Sequence, residues 1–572
     1  MKTPLPRAKS APLRSRFCNS SETTEPRLGE MSAPLRSRLG NIRRDTIAAM
    51  RLASLLLVLG CSVFAQTNRF DILITGAHVV DGSGNPWYSA DVGIRGDTIV
   101  AVGQLGDSQA AIRIDARGLV VAPGFIDIHS HGRRGIFNVP TAENYLREGV
   151  TTIIEGPDGS SALPIAPFLD RFKETPISIN FATFVGQGTI RTQIIGLANR
   201  KATPEEIGKM KDLAAQAMRD GAFGLSTGLF YVPGNFTPTE EVIELAKVVG
   251  QMGGIHISHM REEATHVLDT VRETIRIGEE GGLPTQITHH KTIGQASWGK
   301  SIESLKLVEE ARARGVDVTI DQYPYTASST GISALFPQWA LEGGQKSTAE
   351  RLSAPGERAR IKAVIVENLK FDRGAGDPKN VALVNCSFDP GLAGKNLAEV
   401  TKARGVEVTM ENAAETAIEL QSKGGCSAIY HAISEEDVMR IMQSPYTMIA
   451  SDGDIPVFGQ ASPHPRSYGT FARVLGVYVR EKHVVTLEDA VRKMSGMPAE
   501  RLKLWDRGLV RPGMKADVVV FDPAKVADRS QYDKPHQYSV GFRDVIVNGK
   551  LALHNDQVTT ERSGRVLYGP AH

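Results

Sequence analysis

Short apolar runs alternate with amphipathic stretches through the middle of the chain. The stretch at 203–221, TPEEIGKMKDLAAQAMRDG, has the spacing of a helix with one buried face. Strands are predicted at 121–129, 151–156, 221–228, 253–259, 284–290, 316–325 and 446–453. Strands that alternate with helices over this length predict an α/β fold, in which a parallel sheet closes into a TIM-like (β/α)8 barrel.

Both ends of this middle region have a different pattern. Residues 70–103 are apolar runs separated by Gly, Asn and Asp turns, which predicts a small antiparallel sheet. Residues 543–555 predict a hairpin around the Asn-Gly pair at 548–549. We expect one small β-sandwich domain built from 66–122 and 499–572 around a barrel at 123–498. Residues 331–445 fit the pattern poorly and are predicted as a late insertion that could cover the site as a lid.

The first 65 residues are predicted to be a leader. From Met50 a single Arg is followed by a short apolar run and Val63-Phe64-Ala65, which is the pattern of a secretory signal at 50–65. Residues 1–49 are rich in Arg, Ser and Pro, and we expect them to be disordered, or untranslated if Met50 is the true start. Leu59-Gly60-Cys61 offers lipidation as an alternative. The chain is therefore predicted to be exported, to the periplasm or outside the cell.

Composition limits the class of protein further. A length of 572 residues exceeds one simple core, and 41% hydrophobic with 23% charged residues is typical of a globular protein. Without the 11 basic and 4 acidic residues of 1–65, the chain has 55 basic and 60 acidic residues, a net charge of −5. This balance gives no reason to expect nucleic acid as a partner. The apolar run of the leader is too short to span a membrane comfortably.

Metal-binding residue types occur at the ends of the predicted strands. His129 and His131 are one strand period apart, so both side chains should point to the same side. Barrel enzymes place their chemistry at these strand ends, and imidazole and carboxylate are ligands for zinc. The sequence therefore predicts a metal site from residues on separate strands: His129, His131, Asp158, His259, His289 and Asp452.

Longer motifs resemble the amidohydrolase superfamily, in the branch of D-aminoacylase and the N-acyl-D-amino-acid deacylases. The resemblance covers about 70 to 560 and rests on PGFIDIHSH (123–131), GVTTIIEGPDG (149–159), GLSTGLFYVPG (224–234), SHMREE (258–263), ITHHK (287–291), DQYPYTASST (321–330), ASDG (450–453) and HPRSYGTFARVL (464–475). It implies that His259 and His289 hold a tightly bound Zn²⁺. It also implies that His129, His131 and Asp452 form a second site that is weaker or empty.

The bridging position departs from the family pattern. D-aminoacylases typically carry a Cys after this strand, whereas Asp158 stands at the matching offset from His129. Carboxylates bridge two metals in other amidohydrolases. Asp158 and Glu155 remain rival bridges at this point.

The resemblance also implies how the site acts on substrate. Asp452 is the expected general base, which takes a proton from the attacking water and then delivers it to the departing amine. Cations and hydroxyls suit an amino-acid carboxylate, and the expected anchors are Lys291, Tyr323, Ser329 and Arg466. We expect His256, His290 and His464 to have structural roles.

The favoured activity is hydrolysis of the amide bond in small N-acyl-D-amino acids, which releases a D-amino acid and a carboxylate. Two related hypotheses are a dipeptidase that cleaves before a C-terminal D-residue and a cyclic-amide hydrolase of the hydantoinase or dihydroorotase type. A non-catalytic scaffold is disfavoured because the ligand residues are all present. The sequence leaves open whether Cys386 and Cys426 pair.

Overall fold

The computed structural model describes residues 69–572. The predicted leader segments, 1–49 and 50–65, lie outside the described residues. The strands are β1 (Phe70–Val79), β2 (Tyr88–Arg95), β3 (Thr98–Gly103), β4 (Ala110–Asp115), β5 (Val120–Pro123), β6 (Phe125–Asp127), β7 (Val150–Glu155), β8 (Asn180–Thr183), β9 (Val185–Gly186), β10 (Gly224–Gly228), β11 (Ile255–His259), β12 (Thr285–Ile287), β13 (Val318–Gln322), β14 (Ser328–Gly331), β15 (Val381–Asn385), β16 (Ser427–Tyr430), β17 (Thr447–Ile449), β18 (Val518–Phe521), β19 (Phe542–Val547), β20 (Lys550–His554) and β21 (Gln557–Val558).

The α-helices span Glu143–Leu146, Ile165–Asp170, Gln187–Ile195, Pro204–Arg219, Thr239–Gln251, Val267–Gly281, Ser301–Ala313, Gly344–Ser353, Pro355–Phe371, Leu397–Ala403, Met410–Ser422, Glu435–Gln443, Arg466–Arg473, Leu487–Met494 and Gly496–Arg501, and Val474–Glu481 is π-helical. The helix predicted at 203–221 is confirmed as Pro204–Arg219. Thr203 caps its first turn in a reciprocal pair with Glu206, and Pro204 occupies the first helical position. Among residues 69–572, no helix combines the length and apolar character that a membrane crossing requires.

Strands from both ends of the described chain form one β-domain. Nine strands share a sheet in the order β21-β20-β19-β18-β5-β1-β2-β3, with β4 beside β1. Val518 and Val520 of β18 contribute to a core inside this domain, while Val519 and Phe521 contribute to the larger core that includes barrel residues. This alternation follows from the two-residue period of a strand and attaches the β-domain to the barrel. The hairpin predicted at 543–555 is confirmed, and both residues of its Asn548-Gly549 turn have left-handed backbone angles.

The barrel has eight strand positions, which are β6, β7, β8 with β9, β10, β11, β12, β13 and β17. Neighbouring strands are parallel in the sheets β6-β7-β8 and β17-β13-β12-β11-β10-β9. A bridge between Ser130 and Gly453 and a 2.9 Å hydrogen bond from the Asp452 amide to the His129 carbonyl join the first strand to the last. The predicted α/β barrel with an additional β-domain is therefore confirmed.

The third barrel strand was missing from the sequence prediction. It is divided at Phe184 into β8 and β9, and all of Asn180–Gly186 is buried. The apolar run of this strand is short, is interrupted by Asn180 and ends in Gly186, so its hydrophobic pattern does not distinguish it from a loop.

The predicted strand at 121–129 divides at Gly124 between the β-domain and the barrel. A Cβ at this glycine would lie 2.2 Å from Thr151 Oγ1, so the turn into the barrel requires glycine here.

The insertion forms a small unit with its own core. Strands β14, β16 and β15 pair antiparallel in that order, and a disulfide joins Cys386 to Cys426 across this sheet. The predicted bounds of 331–445 need correction. The helix Glu435–Gln443 belongs to the barrel, because its Asp437 and Arg440 both bond Ser301 of the barrel helix Ser301–Ala313. The first strand of the inserted sheet, β14, already begins at Ser328.

The final segment also differs from the prediction that 499–572 belongs to the β-sandwich. After β21 the chain leaves the β-domain and runs along the barrel. The Leu567 amide donates to the Phe181 carbonyl at 2.8 Å, and the Gly569 amide donates to the Gly221 carbonyl at 2.9 Å. These bonds satisfy backbone groups at the side of the third and fourth barrel strands.

We predict that the disulfide stabilises the insertion. The Cys386→Ser, Cys426→Ser double variant opens a cross-link between residues 40 apart in sequence, which should cost about 2–4 kcal/mol of unfolding free energy. The measurement is chemical denaturation of the variant beside the oxidised parent. Reductant should shift the parent towards the variant and leave the variant unchanged, and identical curves for all samples would contradict the prediction.

Candidate metal centre

The candidate ligands all lie at the carboxyl ends of barrel strands. His259 is the last residue of β11, while His129, His289 and Asp452 follow β6, β12 and β17 within three residues. Asp158 follows β7 on the connecting loop. Because parallel barrel strands end on one face, these residues from distant parts of the sequence converge there.

Asp158 lies between the imidazoles. Its Oδ1 is 3.5 Å from His129 Nε2, 3.4 Å from His289 Nε2 and 3.8 Å from His259 Nδ1. Its Oδ2 is 3.4 Å from His131 Nε2. Two groups with the spacing of metal ligands result, His129–His131–Asp158–Asp452 and Asp158–His259–His289, and they share Asp158.

The unsatisfied atoms of these groups fit a metal. Both ring nitrogens of His129 and of His259 are buried without a hydrogen-bond partner among the described residues, as is Asp158 Oδ1. Buried polar atoms are normally paired, so their convergence points to a cation as the absent partner. Imidazole nitrogen and carboxylate oxygen are donors that suit zinc, and Asp158 is placed to contact ions in both groups.

Glu155, the rival bridge, faces elsewhere. Its Oε1 accepts a 2.9 Å hydrogen bond from Arg133 Nε, and it belongs to neither ligand group. The Glu155 side chain is buried and paired with this guanidinium, which raises the cost of turning it towards the histidines. The geometry therefore favours Asp158 as the bridge.

Three of the candidate ligands have strained backbone angles. Asp158, His289 and Asp452 have φ angles of 55°, 34° and 51°, in the left-handed region that non-glycine residues rarely adopt. Such angles cost free energy and tend to occur where function fixes the direction of a side chain. In each case the strained residue turns a ligand atom towards the shared centre.

The charge state of the site follows from burial and close pairs. Burial alone would raise the pKa of Asp452, but the Arg466 guanidinium and the nearby imidazoles of His129 and His131 outweigh it and hold that pKa well below its usual range. Burial also opposes ionisation of Asp158, yet the charges of His129 and His289 keep its pKa well below normal. Burial lowers the pKa of His259 to about 3, so this imidazole is neutral, as a metal ligand must be.

The residues expected to anchor substrate divide into two sets. Arg466 and Tyr323 are buried in the wall of the cavity, with the guanidinium 4.9 Å from the centre of the Tyr323 ring. The Tyr323 hydroxyl has no partner among the described residues, and Arg466 Nη1 lies 2.8 Å from Asp452 Oδ2. That contact is an ion pair without the alignment of a hydrogen bond. Ser329 lies beside Arg466, and its carbonyl accepts from Nη2 at 3.4 Å.

Lys291 differs from the other three expected anchors because it contacts a candidate histidine ligand directly. Its Nζ contacts Glu263 Oε1 at 2.5 Å, His289 Nδ1 at 2.8 Å and the His289 carbonyl at 3.0 Å. These contacts hold the His289 ring from the side opposite Asp158. Lys291 therefore orients a candidate ligand as well as lining the cavity.

The three histidines expected to be structural lie outside both ligand groups. His256 bonds the hydroxyls of Thr227 and Thr285, and His290 Nε2 lies 2.7 Å from Ser304 Oγ. His464 Nδ1 accepts from the Arg466 amide at 3.0 Å, which fixes the start of the helix that carries Arg466. The opposite orientations of His289 and His290 agree with their opposite strand parity.

The sequence interpretation missed several residues around the ligands. Asp321 accepts from the His289 amide at 2.6 Å and lies 3.6 Å from His129 Nδ1. Glu263 lies 3.8 Å from His259 Nε2 and 3.3 Å from His289 Nδ1. Glu263 is the last residue of the SHMREE motif (258–263), which was the signal that could have identified it. Arg373 of the insertion has no comparable signal in the sequence.

A cavity of about 780 Å³ opens over the two groups. Its wall includes His131, Asp158, His259, His289 and Asp452 on the barrel side. The insertion supplies Ser328–Gly331, Arg373, Val384 and Ser427. This volume accommodates a small organic substrate.

A family model described as the amidohydrolase family matches residues 113–552. D-aminoacylase of Alcaligenes xylosoxydans xylosoxydans is 38% identical over 526 residues, which cover 88% of this chain and 98% of the relative. The solved N-acyl-D-glutamate deacylase of Bordetella bronchiseptica, in complex with zinc and a phosphonate mimic of the tetrahedral intermediate, is 33% identical with a TM-score of 0.75. That match covers 88% of this chain and 100% of the solved chain.

A D-aminoacylase structure concerned with a binuclear metal centre is 36% identical, with a TM-score of 0.75 and coverage of 87% of this chain and 100% of that one. The chain belongs to the amidohydrolase family, in the branch of D-aminoacylase and the N-acyl-D-amino-acid deacylases.

Proposed function

We propose that this protein is an exported, zinc-dependent deacylase that hydrolyses the amide bond of N-acyl-D-amino acids, releasing a D-amino acid and a carboxylate. The observation that carries the proposal is the pair of ligand groups that share Asp158 beneath a cavity with Arg466 in its wall. The site thus offers a place for a metal and a cation for a substrate carboxylate within one cavity. The preference for the D configuration is supported by the named relatives.

His259, His289 and Asp158 would hold one zinc ion, and His129, His131, Asp158 and Asp452 would hold a second. Zinc bound there supplies Lewis acidity, which activates water and polarises the amide carbonyl. The chain has to direct the histidine ring nitrogens at the centre. Glu263, Lys291 and Asp321 orient His289 through contacts with its ring and backbone.

Asp452 is the proposed general base and acid. It is ionised, lies beside His131 at 3.0 Å and borders the cavity. Its carboxylate can accept a proton from the attacking water and return it to the nitrogen of the departing amine. The ion pair with Arg466 fixes one oxygen of Asp452 and leaves the other directed at the ligand group.

Arg466, Tyr323 and Ser329 form the proposed site for the substrate carboxylate. A guanidinium presents several donors in a plane, which suits a carboxylate, and the free Tyr323 hydroxyl adds another donor. A linear N-acylated amino acid presents such a carboxylate next to the scissile bond. A cyclic amide need not carry a carboxylate, so a cyclic-amide substrate would leave these groups without a required partner. A dipeptide with a C-terminal D-residue carries the same carboxylate and fits them equally well.

Export is proposed from the signal pattern at 50–65. The disulfide between Cys386 and Cys426 supports this proposal, because structural disulfides persist in oxidising compartments. An exported deacylase would act on N-acylated D-amino acids outside the cytoplasm.

We predict that activity depends on zinc and on substrate configuration. Protein beginning at Gln66 should lose turnover of N-acetyl-D-methionine after chelation and regain it with zinc, because zinc would supply the Lewis acidity that polarises the amide carbonyl. N-acetyl-L-methionine should be slower by about a hundredfold, since it would place either the carboxylate or the amide out of position. The measurement is release of free amino acid with bound zinc counted in parallel. Zinc-loaded protein that is inactive on N-acyl-D-amino acids and L-Xaa-D-Xaa dipeptides would contradict the proposal.

We predict that Asp452→Asn lowers kcat by about 10²- to 10⁴-fold, because the amide keeps the size of the side chain and cannot accept the proton. Asp269→Asn is the matched control, since Asp269 is an exposed helix residue paired with Arg272. Zinc content distinguishes the two roles of Asp452. A variant that regains full activity when zinc is restored would show that Asp452 acts only as a ligand.

We predict that the leader is removed on export. Expression of the whole chain in a bacterium should give a mature N-terminus at Gln66, determined by N-terminal sequencing of the secreted or periplasmic fraction. Replacement of Leu55 and Leu56 by Arg interrupts the apolar run and should leave unprocessed protein in the cytoplasm. Processing at Cys61 with attached lipid would replace a free exported protein by an anchored one, and equal cytoplasmic retention of both forms would contradict export.

A further inference from the structure

Tyr145 is a buried tyrosine behind the candidate metal centre, and the proposed chemistry does not use it. It lies on the short helix Glu143–Leu146, between β6 and β7, and its side chain is fully buried. It belongs to neither ligand group and does not line the cavity, so it is not placed to touch a metal ion or substrate. A buried hydroxyl has lost water as a partner, so the protein groups that it contacts define its role.

The Tyr145 hydroxyl contacts the segment that carries the proposed general base, Asp452. It donates a hydrogen bond of 3.1 Å to the carbonyl of Gly453 and lies 3.2 Å from Ser451 Oγ. Gly453 and Ser451 are the residues directly after and before Asp452. The hydroxyl therefore holds this segment on both sides of the base.

The same hydroxyl also contacts the segment of two other candidate ligands. Ser130 Oγ lies 2.8 Å from it, and Ser130 is the residue between His129 and His131. The single proton of Tyr145 is directed at the Gly453 carbonyl, so Ser130 is the donor in this second contact. The His131 amide donates to the same carbonyl at 2.8 Å. Tyr145 thus joins the two segments whose side chains belong to one ligand group.

Asp452 depends on contacts of this kind because its backbone is strained, with a φ angle of 51°. Ser451, on one side, donates to Asp127 through its amide at 2.9 Å and through its hydroxyl. Gly453, on the other side, has Tyr145 as the side-chain partner of its carbonyl. Loss of the Tyr145 hydroxyl would therefore loosen one side of Asp452, while the bonds to Asp127 keep the segment in place.

The other ligand group does not depend on this hydroxyl. Its histidines, His259 and His289, lie at the ends of β11 and β12. Within residues 69–572 the Tyr145 hydroxyl makes no hydrogen bond to either strand. A positioning role of Tyr145 therefore affects one group selectively, whereas a general loss of stability affects both.

We infer that Tyr145 is a positioning residue for the proposed general base. Its hydroxyl keeps Asp452 at 3.0 Å from His131 by joining the segments that carry these two side chains. The inference rests on the proposed deacylase function and adds to it a residue outside the cavity. A displacement of about 1 Å can lower a rate by about a hundredfold, so a small shift of the Asp452 carboxylate is enough to impair proton transfer.

The first test is the kinetics of Tyr145→Phe, which keeps the ring and removes only the hydroxyl. With N-acetyl-D-methionine we expect kcat to fall by about 10- to 100-fold. The value of KM should stay within about threefold, because the hydroxyl does not contact the proposed carboxylate anchors. An unchanged kcat, or an equal effect on KM, would overturn the inference.

The second test is a zinc titration of the apoprotein against a chelating dye, which needs no substrate. In Tyr145→Phe we expect the affinity of the group His129–His131–Asp158–Asp452 to fall by about 10- to 100-fold, the usual effect of losing a contact that orients metal ligands. The affinity of the group Asp158–His259–His289 should stay within about threefold. Equal weakening of both groups would show that Tyr145 only stabilises the fold.

Tyr478→Phe is the matched control. Tyr478 is also fully buried, and its hydroxyl bonds Glu435 at 3.1 Å, away from both ligand groups. This variant should keep the kcat and both zinc affinities of the parent. Equal losses in Tyr478→Phe and Tyr145→Phe would assign the effect to the loss of any buried hydroxyl and overturn the inference.

Ser130→Ala tests the same contact from its other end. If the two hydroxyls act together, the double variant of Ser130→Ala with Tyr145→Phe should lose less than the product of the two single losses in kcat. Independent losses that multiply would contradict a shared role.

Failure of the inference can be distinguished from failure of the proposed function. If the zinc-loaded parent hydrolyses no N-acyl-D-amino acid, the proposed function fails, and the zinc titration still decides whether Tyr145 positions one ligand group. If the parent binds a single zinc ion, the kinetics of Tyr145→Phe decide. A parent that binds one ion and is inactive would overturn both.

Discussion

One carboxylate, that of Asp158, has to satisfy four imidazoles from three other strands of the barrel, and the arrangement of the site depends on it. Each neighbouring histidine lies within 3.8 Å of an Asp158 oxygen, yet the ring nitrogens of His129 and His259 have no hydrogen-bond partner within residues 69–572. Protein groups alone leave this cluster unsatisfied, whereas cations between the carboxylate and the rings would complete it. Asp158 and Asp452 adopt left-handed backbone angles, each of which costs about 1–3 kcal/mol. The closed barrel and its hydrogen bonds hold these angles.

The surroundings of the cluster keep its charges in fixed pairs. Arg466 holds Asp452, and Glu263 holds Lys291, which in turn contacts His289. Glu263 follows β11, whereas Lys291 and His289 follow β12, so neighbouring barrel strands have to be in place before this part of the site exists. The hydrogen bond from the Asp452 amide to the His129 carbonyl joins the first barrel strand to the last. The same bond connects two candidate ligands. Fold and site are therefore stabilised by the same contacts, and the insertion adds the outer wall of the cavity.

Much of this arrangement could be predicted from the sequence, because barrel geometry turns strand ends into neighbours. His129, His259, His289 and Asp452 each follow an apolar run, and the rule that such ends converge was enough to bring them together. The sequence left the choice between Asp158 and Glu155 open because both lie at the end of the same strand. In the structure Glu155 pairs with Arg133, whereas Asp158 belongs to both ligand groups. The third strand was missed because its run is short and broken at Phe184. Arg373 was missed because its approach depends on how the insertion packs.

The most direct test of the account is anomalous diffraction at the zinc edge from crystals grown with zinc. We expect a zinc peak within bonding distance, about 2.0–2.2 Å, of His259, His289 and Asp158. Any second peak should lie among His129, His131 and Asp452, with Asp158 between the two ions. Zinc coordinated by Glu155 in place of Asp158, or zinc-saturated crystals with no peak at these residues, would contradict the account.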